Sequence, residues 1–137
     1  MNKSVMTRLL VQPKIRSICR ALWCLAWVGV ASALLTPLPI AVPVPDWLAH
    51  FLLLCGMAIG AVTFSHRFGQ LAALALLTSV IGVALEFAQV FVPDRTFEPF
   101  DAAANLLGAL IGFAVAAITL HFVIRPADPA LTRVVQV

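Results

Sequence analysis

Five polar side chains that could bind or transform a ligand lie close together in an otherwise apolar chain. They are Glu86, Gln89, Arg95, Asp101 and Asn105. A carboxylate can take up a proton during a reaction, and a guanidinium can present two parallel donors to a phosphate or carboxylate. These residue types predict a site for acid–base chemistry or for binding an anionic group.

Two further candidates come earlier in the chain. His50 carries an imidazole, which can serve as acid, base or metal ligand, and Asp46 precedes it by four residues on the same helical face. One histidine and no cysteine near the site do not support a zinc centre built from several nitrogen or sulfur ligands. A hard cation held by Asp46, Glu86 or Asp101 is the weaker alternative that stays open.

The composition shows which solvent surrounds these groups. The chain has 137 residues, of which 62% are hydrophobic and 11% charged, and its mean hydropathy is +1.03. A water-soluble domain of this size needs more charged surface, whereas a bilayer solvates apolar side chains and requires only internally bonded backbone groups. We therefore predict a single-domain, all-α integral membrane protein.

Four nearly uncharged stretches approach the ~20 residues that a helix needs to cross a hydrocarbon core. They cover residues 22–40, 47–64, 70–92 and 102–124. Prolines at 37, 39, 43 and 45 force the end of the first stretch into a kinked or extended exit. A cleaved signal peptide is the alternative for this stretch, but its uncharged run continues past the small residues at 31–33.

The basic residues predict the orientation. Arg95 alone falls on the other side, among acidic residues; the other eight basic residues precede the first span, lie between the second and third, or follow the fourth, at Lys3, Arg8, Lys14, Arg16, Arg20, Arg67, Arg125 and Arg133. The positive-inside rule then places both termini in the cytoplasm. The chain divides into a basic arm (1–20), a four-helix transmembrane bundle (21–124) and a cytoplasmic tail (125–137). The arm accounts for the basic pI without a nucleic acid partner.

Helical spacing predicts how the polar groups face. Glu86 and Gln89 share a stripe with Gly82, while Asp101 and Asn105 share one on the last span. Glu86 lies six residues before the predicted end of its span, about 9 Å inside the membrane. An ionisable side chain within a membrane span is a functional hypothesis by default. We expect these two stripes and the stripe of Asp46 and His50 on the second span to converge on a pocket that opens outward.

Small residues continue these stripes deeper into the spans. Gly56 and Gly60 form one G-x-x-x-G motif, and Gly108 and Gly112 form another. Such motifs let helix backbones approach closely in lipid. We expect these four glycines to pack the bundle below the polar groups.

Each candidate also has a purely structural explanation. Asp46 could cap the second span, and Asp101 suits the positive end of a helix dipole. Gln89 and Asn105 could be interhelical hydrogen bonds. Arg95 could simply neutralise the neighbouring acidic groups. Glu86 resists such an explanation most, because a buried carboxylate needs a cation, a hydrogen-bond network or a proton.

The ordered spacing resembles the signature of the VanZ-like family of small bacterial membrane proteins. The matching run is Asp46-x3-His50, Glu86-x2-Gln89-x5-Arg95-x5-Asp101-x3-Asn105-x2-Gly108-x3-Gly112. One departure is Trp47, where the resemblance leads us to expect a lysine. The family's namesake is associated with resistance to the lipoglycopeptide teicoplanin, and related proteins often accompany cell-envelope or exopolysaccharide functions. The resemblance implies no particular reaction, and it leaves the cofactor unknown.

Three classes of function follow for a multi-pass protein of the bacterial inner membrane. In the first, it binds or acts on a lipid-linked or amphipathic envelope compound. Glu86 is then the base, His50 the acid, Asp46 or Asp101 orients the imidazole, and Arg95 holds a phosphate, with Gln89 and Asn105 as further substrate contacts. Expected partners are membrane lipids, a lipid-linked envelope precursor and an envelope-assembly protein.

In the second class the protein is a non-catalytic scaffold or partner-binding subunit. The third is a small proton-coupled transporter. It is disfavoured because nothing in the cytoplasmic half of the spans matches the polar groups of the outer half, as an alternating path would require.

Overall fold

The computed structural model describes residues 12–36, 44–93 and 95–124. Four helices account for most of these residues: α1 (Pro13–Leu35), α2 (Asp46–Gly60), α3 (Phe68–Gln89) and α4 (Pro99–Thr119). A 3-10 turn over Ala61–Thr63 extends α2, and a wider π-helical turn over Leu120–Ile124 extends α4. The described ranges contain no strand, which confirms the all-α prediction.

All four helices, with their extensions, are long and apolar enough to cross a membrane. Large apolar side chains such as Leu76 and Leu110 are 66% and 63% exposed, as expected for surfaces that face lipid rather than water. The prediction of four spans is therefore confirmed. The cytoplasmic placement of the termini stays a prediction, and residues 1–11, 37–43 and 125–137 lie outside the described ranges.

The helix bounds differ from the predicted spans at several ends. The first helix runs over Pro13–Leu35 instead of 22–40, because Pro13 suits a first helical turn and the basic residues after it are accommodated within the helix. The third ends at Gln89 instead of 92, since residues 90–92 form tight turns ahead of Pro93. Glu86 is therefore about 4.5 Å from the end of its helix rather than 9 Å.

The fourth helix begins earlier than predicted, at Pro99 instead of residue 102. Proline is favoured in the first helical turn because its missing N–H is not needed there. Asp101 consequently lies in the first turn of α4. The end of the bundle where α2 and α4 begin and α3 ends is called the polar end below, and the opposite end is called the basic end.

The closest approach of two helices is between α2 and α4. A side chain at Gly108 would collide with the carbonyl oxygen of Phe51, and one at Gly112 with the carbonyl oxygen of Cys55. The close packing expected at these two glycines is therefore present. It fixes the rotation of α4 against α2, and with it the direction in which Asp101 and Asn105 point.

The other glycine pair behaves differently. A side chain at Gly56 would meet nothing within 4 Å, so the expected packing role of Gly56 is not found. Gly60 packs against the indole ring of Trp23 on α1 instead of a helix backbone. The Nε1–H of the Trp23 indole donates a hydrogen bond to the carbonyl oxygen of Met57 at 2.8 Å. Gly60 thus makes room for the ring that joins α1 to α2.

At the basic end, two arginines of α1 join this helix to the end of α2. Arg16 is buried and donates hydrogen bonds to the carbonyl oxygens of Thr63 (3.0 and 3.2 Å) and Ser65 (3.0 Å), while Arg20 donates to Thr63 at 3.0 Å. The last carbonyls of a helix lack partners within that helix. These arginines satisfy them where α2 ends, a role that the sequence did not reveal.

Candidate functional site

Three ionisable side chains from three helices meet near the polar end. His50 of α2, Glu86 of α3 and Asp101 of α4 are 2%, 0% and 4% exposed. His50 Nδ1 lies 3.5 Å from Glu86 Oε2, and His50 Nε2 lies 3.9 Å from Asp101 Oδ2. The imidazole therefore lies between two carboxylates, one beside each ring nitrogen. These three residues are called the His50 cluster.

Helix direction explains why the three groups meet. His50 and Asp101 lie within the first two turns of α2 and α4, and Glu86 lies in the last turn of α3. Since α3 runs opposite to the other two, all three positions fall at one level of the bundle. The sequence predicted this common level from the spacing of the polar residues.

The two oxygens of Glu86 have different surroundings. Oε1 accepts a hydrogen bond of 3.1 Å from the backbone N–H of Glu98, the residue just before α4. A carboxylate at this place also suits the positive end of the helix dipole. Oε2 faces His50 and has no hydrogen-bond partner. One oxygen therefore helps to hold the start of α4, and the other is free for chemistry.

Several buried polar atoms at this end lack a hydrogen bond. They include His50 Nδ1, Glu86 Oε2 and Asn105 Oδ1. A buried polar atom without a partner is costly, and in native proteins most such atoms are paired. Bundle packing alone does not explain these atoms, because apolar side chains would fill the same space without that cost.

Asn105 and Gln89 each bond to another helix. Asn105 Nδ2 donates to the carbonyl oxygen of Gly82 on α3 at 3.1 Å, and Gln89 Nε2 donates to that of Leu34 on α1 at 3.0 Å. These bonds match the structural explanation considered for both amides. Asn105 lies one turn beyond Asp101 along α4 and keeps its amide oxygen unpaired.

Arg95 and Asp46 form an ion pair outside the cluster. Arg95 Nη1 lies 3.1 Å from Asp46 Oδ2, and their side chains are 24% and 62% exposed. Asp46 begins α2, one turn before His50, and makes no capping bond; Pro45 is the cap residue instead. The structure therefore does not show the capping role that was the structural alternative for Asp46. Of the two acidic residues considered for orienting the imidazole, Asp101 is the one beside a ring nitrogen.

The expected pocket is closed. All three members of the His50 cluster are almost completely buried, so a ligand reaches them only after a rearrangement of the polar end. The segment between α3 and α4 contacts the cluster directly, because the backbone N–H of Glu98 bonds to Glu86. The prediction of an outward-opening pocket is corrected to a sealed polar cluster.

An apolar groove lies between α2 and α4. It has a volume of about 270 Å³ and is lined by Trp47, Phe51, Phe100, Ala103, Ala104 and Leu107. Trp47 adjoins Asp46 in sequence, Phe51 adjoins His50, and Phe100 adjoins Asp101. The sequence analysis missed this groove, although the helical spacing of these residues places them on two facing stripes.

Comparison with known proteins gives one family. A family model described as VanZ/LLP1 matches residues 15–121, which include all of α2, α3 and α4 and nearly all of α1. The matched range contains every member of the His50 cluster and the Arg95–Asp46 pair. No curated protein and no solved structure matches the chain.

Proposed function

The chain belongs to the VanZ/LLP1 family, and from that premise we propose that it acts on a lipid-linked or amphipathic compound of the bacterial cell envelope. In this proposal it resides in the cytoplasmic membrane, and the His50 cluster receives the polar head of the compound. The observation that carries the proposal is the buried imidazole between two carboxylates, with an unpaired oxygen on Glu86 facing it.

The arrangement suits acid–base chemistry on a head group. Glu86 Oε2 takes a proton from an attacking hydroxyl or water, and His50 delivers a proton to the oxygen that leaves. Asp101, beside Nε2, orients the imidazole and favours one tautomer. Asn105 Oδ1 is an unpaired acceptor one turn away and suits a head-group hydroxyl.

Arg95 supplies the contact for a phosphate. Its ion pair with Asp46 is partly exposed, and pairs of this kind contribute only about 0–1 kcal/mol. A phosphate, which offers a guanidinium several oxygens, can therefore replace Asp46 as its partner. When Arg95 binds a phosphate instead of Asp46, the first turn of α2, which precedes His50, also loses its ion pair.

The groove along α2 and α4 suits the hydrocarbon chain of the same compound. A lipid chain is already solvated by the bilayer, so the groove contributes shape and packing rather than a hydrophobic driving force. Two of its lining residues, Phe51 and Phe100, are chain neighbours of His50 and Asp101. A head group at His50 and a chain along Phe51 and Phe100 would lie side by side.

The proposal is tested by mass spectrometry of envelope lipids and cell-wall precursors. Cells expressing the intact chain, Glu86→Gln or Glu98→Gln are compared with an empty control at matched membrane levels of protein. Glu98→Gln is the matched control, because the exposed Glu98 bonds Glu86 through its backbone only. We expect one species to change with the intact chain and the control variant, and to revert in Glu86→Gln. An unchanged lipid profile would overturn the proposal.

A scaffold or partner-binding subunit of envelope or exopolysaccharide machinery is the second candidate. The amide bonds of Gln89 and Asn105, and the bond from Glu98 to Glu86, favour it because they join helices. This candidate expects Glu86→Gln to keep the teicoplanin-resistance phenotype that the family suggests, since glutamine retains an oxygen for the Glu98 N–H. The lipid-acting proposal expects that phenotype to be lost.

A transporter receives no support from the part of the chain that the structure describes. The buried acidic side chains in residues 12–36, 44–93 and 95–124 are Glu86 and Asp101, and both lie near the polar end. A proton-coupled path needs groups along both halves of the membrane. We therefore do not propose transport.

A further inference from the structure

We propose that the His50 cluster binds a divalent transition-metal cation such as Zn²⁺, with His50, Glu86 and Asp101 as its protein ligands. The inference deepens the proposed function and rests on the same site, for which it names an inorganic partner. The sequence analysis left open a hard cation on the acidic residues but did not support zinc, because ligands near the ends of three helices show no compact metal motif.

The geometry of the three side chains is the first support. One ring nitrogen of His50 and one oxygen from each carboxylate lie within 4.8 Å of one another. Zinc binds such atoms at about 2.0–2.2 Å, so the ligand atoms of a tetrahedral site are about 3.4 Å apart. Side-chain rotations that move the atoms by roughly an ångström bring the cluster to that spacing.

The unpaired atoms are the second, independent support. Glu86 Oε2 and His50 Nδ1 are buried without a hydrogen bond, and they face each other across 3.5 Å. Each can offer a lone pair to a cation. The other oxygen of Glu86 is held by the Glu98 N–H, the kind of second contact that orients metal-ligating carboxylates. A cation would satisfy the atoms that the protein leaves unpaired.

Charge balance is the third support. Two carboxylates and a neutral imidazole carry a charge of −2 in a buried part of the membrane bundle. Uncompensated charge there is expensive, and one divalent cation brings the cluster to neutrality. Two added protons, one on the imidazole and one on a carboxylate, achieve the same. Metal and protons are therefore the two alternatives that an experiment must separate.

The ligand types favour zinc over magnesium or calcium. Those two cations prefer sites made entirely of oxygen, whereas zinc accepts nitrogen and carboxylate oxygen together. Three protein ligands leave the fourth position of a tetrahedral site for water or a head-group oxygen. If an ion were bound, His50, Glu86 and Asp101 would hold it, and the ion would supply activation of a water in place of the acid and base roles proposed for His50 and Glu86.

Metal content of the purified protein tests the inference directly. The full-length chain, carrying an affinity tag without histidine, is expressed with added zinc, purified in detergent and assayed by inductively coupled plasma mass spectrometry. The variants are His50→Gln and Asp101→Asn. The matched control is His121→Gln, which changes an exposed histidine of the π-helical turn after α4. We expect about one zinc per chain in the intact protein and the control, and a loss of about tenfold or more in the two variants.

Two outcomes overturn the inference. One is an intact chain with no more metal than His50→Gln, and the other is a variant that retains its zinc. Should a variant fail to fold, titration of the intact chain with Co²⁺ decides, because a nitrogen- and oxygen-ligated site gives visible absorption bands. No bands at one equivalent of Co²⁺ would also overturn it.

The metal inference and the proposed function can fail separately. Stoichiometric zinc with unchanged envelope lipids would remove the proposed reaction and keep the site. A lipid change that depends on Glu86, in a protein that binds neither Zn²⁺ nor Co²⁺, would remove the metal and keep the acid–base function.

Discussion

His50 Nδ1 lies 3.5 Å from Glu86 Oε2, although the two residues belong to different helices and are 36 positions apart in the chain. The contact exists only because α2 and α3 run in opposite directions and bring the start of one helix level with the end of the other. A structure with these side chains on opposite faces of the bundle would have excluded a shared chemical role. The observed contact makes several experiments informative.

Replacement of Glu86 should separate its chemical role from its structural one. Glu86→Gln keeps an oxygen for the Glu98 N–H, whereas Glu86→Ala removes the acceptor of that bond. Hydrogen bonds to charged groups contribute about 1.5–3 kcal/mol, so the alanine variant should unfold at a clearly lower temperature than the glutamine variant. Both should lose the lipid change. Thermal unfolding in detergent and lipid mass spectrometry measure the two effects, and equal stability of the variants would contradict the assigned bond.

The close contact between α2 and α4 at Gly108 and Gly112 should not tolerate added side chains. A methyl group at Gly108 meets the carbonyl oxygen of Phe51, while one at Gly56 meets nothing within 4 Å. Gly108→Ala should lower the unfolding temperature by roughly 5 °C or more. Gly56→Ala, the control, should be neutral or stabilising by up to about 1 kcal/mol because alanine favours helix. Equal effects at both positions would contradict the close contact assigned to Gly108.

Loss of Arg16 should loosen the basic end. Arg16→Gln removes the bonds to the carbonyl oxygens of Thr63 and Ser65, which should cost about 1–3 kcal/mol. Lys14→Gln, at an exposed position one turn or less away, is the control and should change stability little. Thermal unfolding and protease sensitivity of α1 provide the measurement. An unaltered Arg16→Gln protein would show that other contacts hold α1 in place.

Arg95 and Asp46 should respond in opposite directions to a phosphate ligand. Arg95→Gln removes the proposed phosphate contact, while Asp46→Asn removes the group that competes for it. Because the pair is partly exposed, either change should alter stability by no more than about 1 kcal/mol. Affinity for a fluorescent isoprenyl phosphate in detergent should fall in Arg95→Gln and stay the same or rise in Asp46→Asn. Weaker binding in Asp46→Asn would mean that the intact pair forms part of the binding site.

The sequence predicted the number of spans and the level of the polar groups, since both follow from hydropathy and the fixed rise of a helix. It misplaced the helix ends near Pro93 and Pro99, where short-range turns decide the boundary. The pairing of Asp101 with His50 was left open. Both candidate carboxylates occupied plausible stripes, and the choice depends on how α4 is rotated against α2.

The glycine motifs illustrate the same limit. A G-x-x-x-G spacing shows that two small residues share a helix face, but not which neighbour that face meets. Gly108 and Gly112 meet α2, Gly60 meets an indole ring, and Gly56 faces outward. The burial of the cluster was equally out of reach, because it depends on how the helices pack against one another, which side-chain patterns do not report.

The bond from Glu98 to Glu86 has a consequence for how the chain can change over generations. Because Glu86 accepts from the backbone of residue 98, this hydrogen bond restricts the residue type at that position only by excluding proline, which lacks the N–H. An insertion or deletion between α3 and α4 is more constrained, because the altered chain must still place a backbone N–H within hydrogen-bond distance of Glu86 Oε1. Variation among relatives should therefore be wide in residue type at position 98 and narrow in length along this connection.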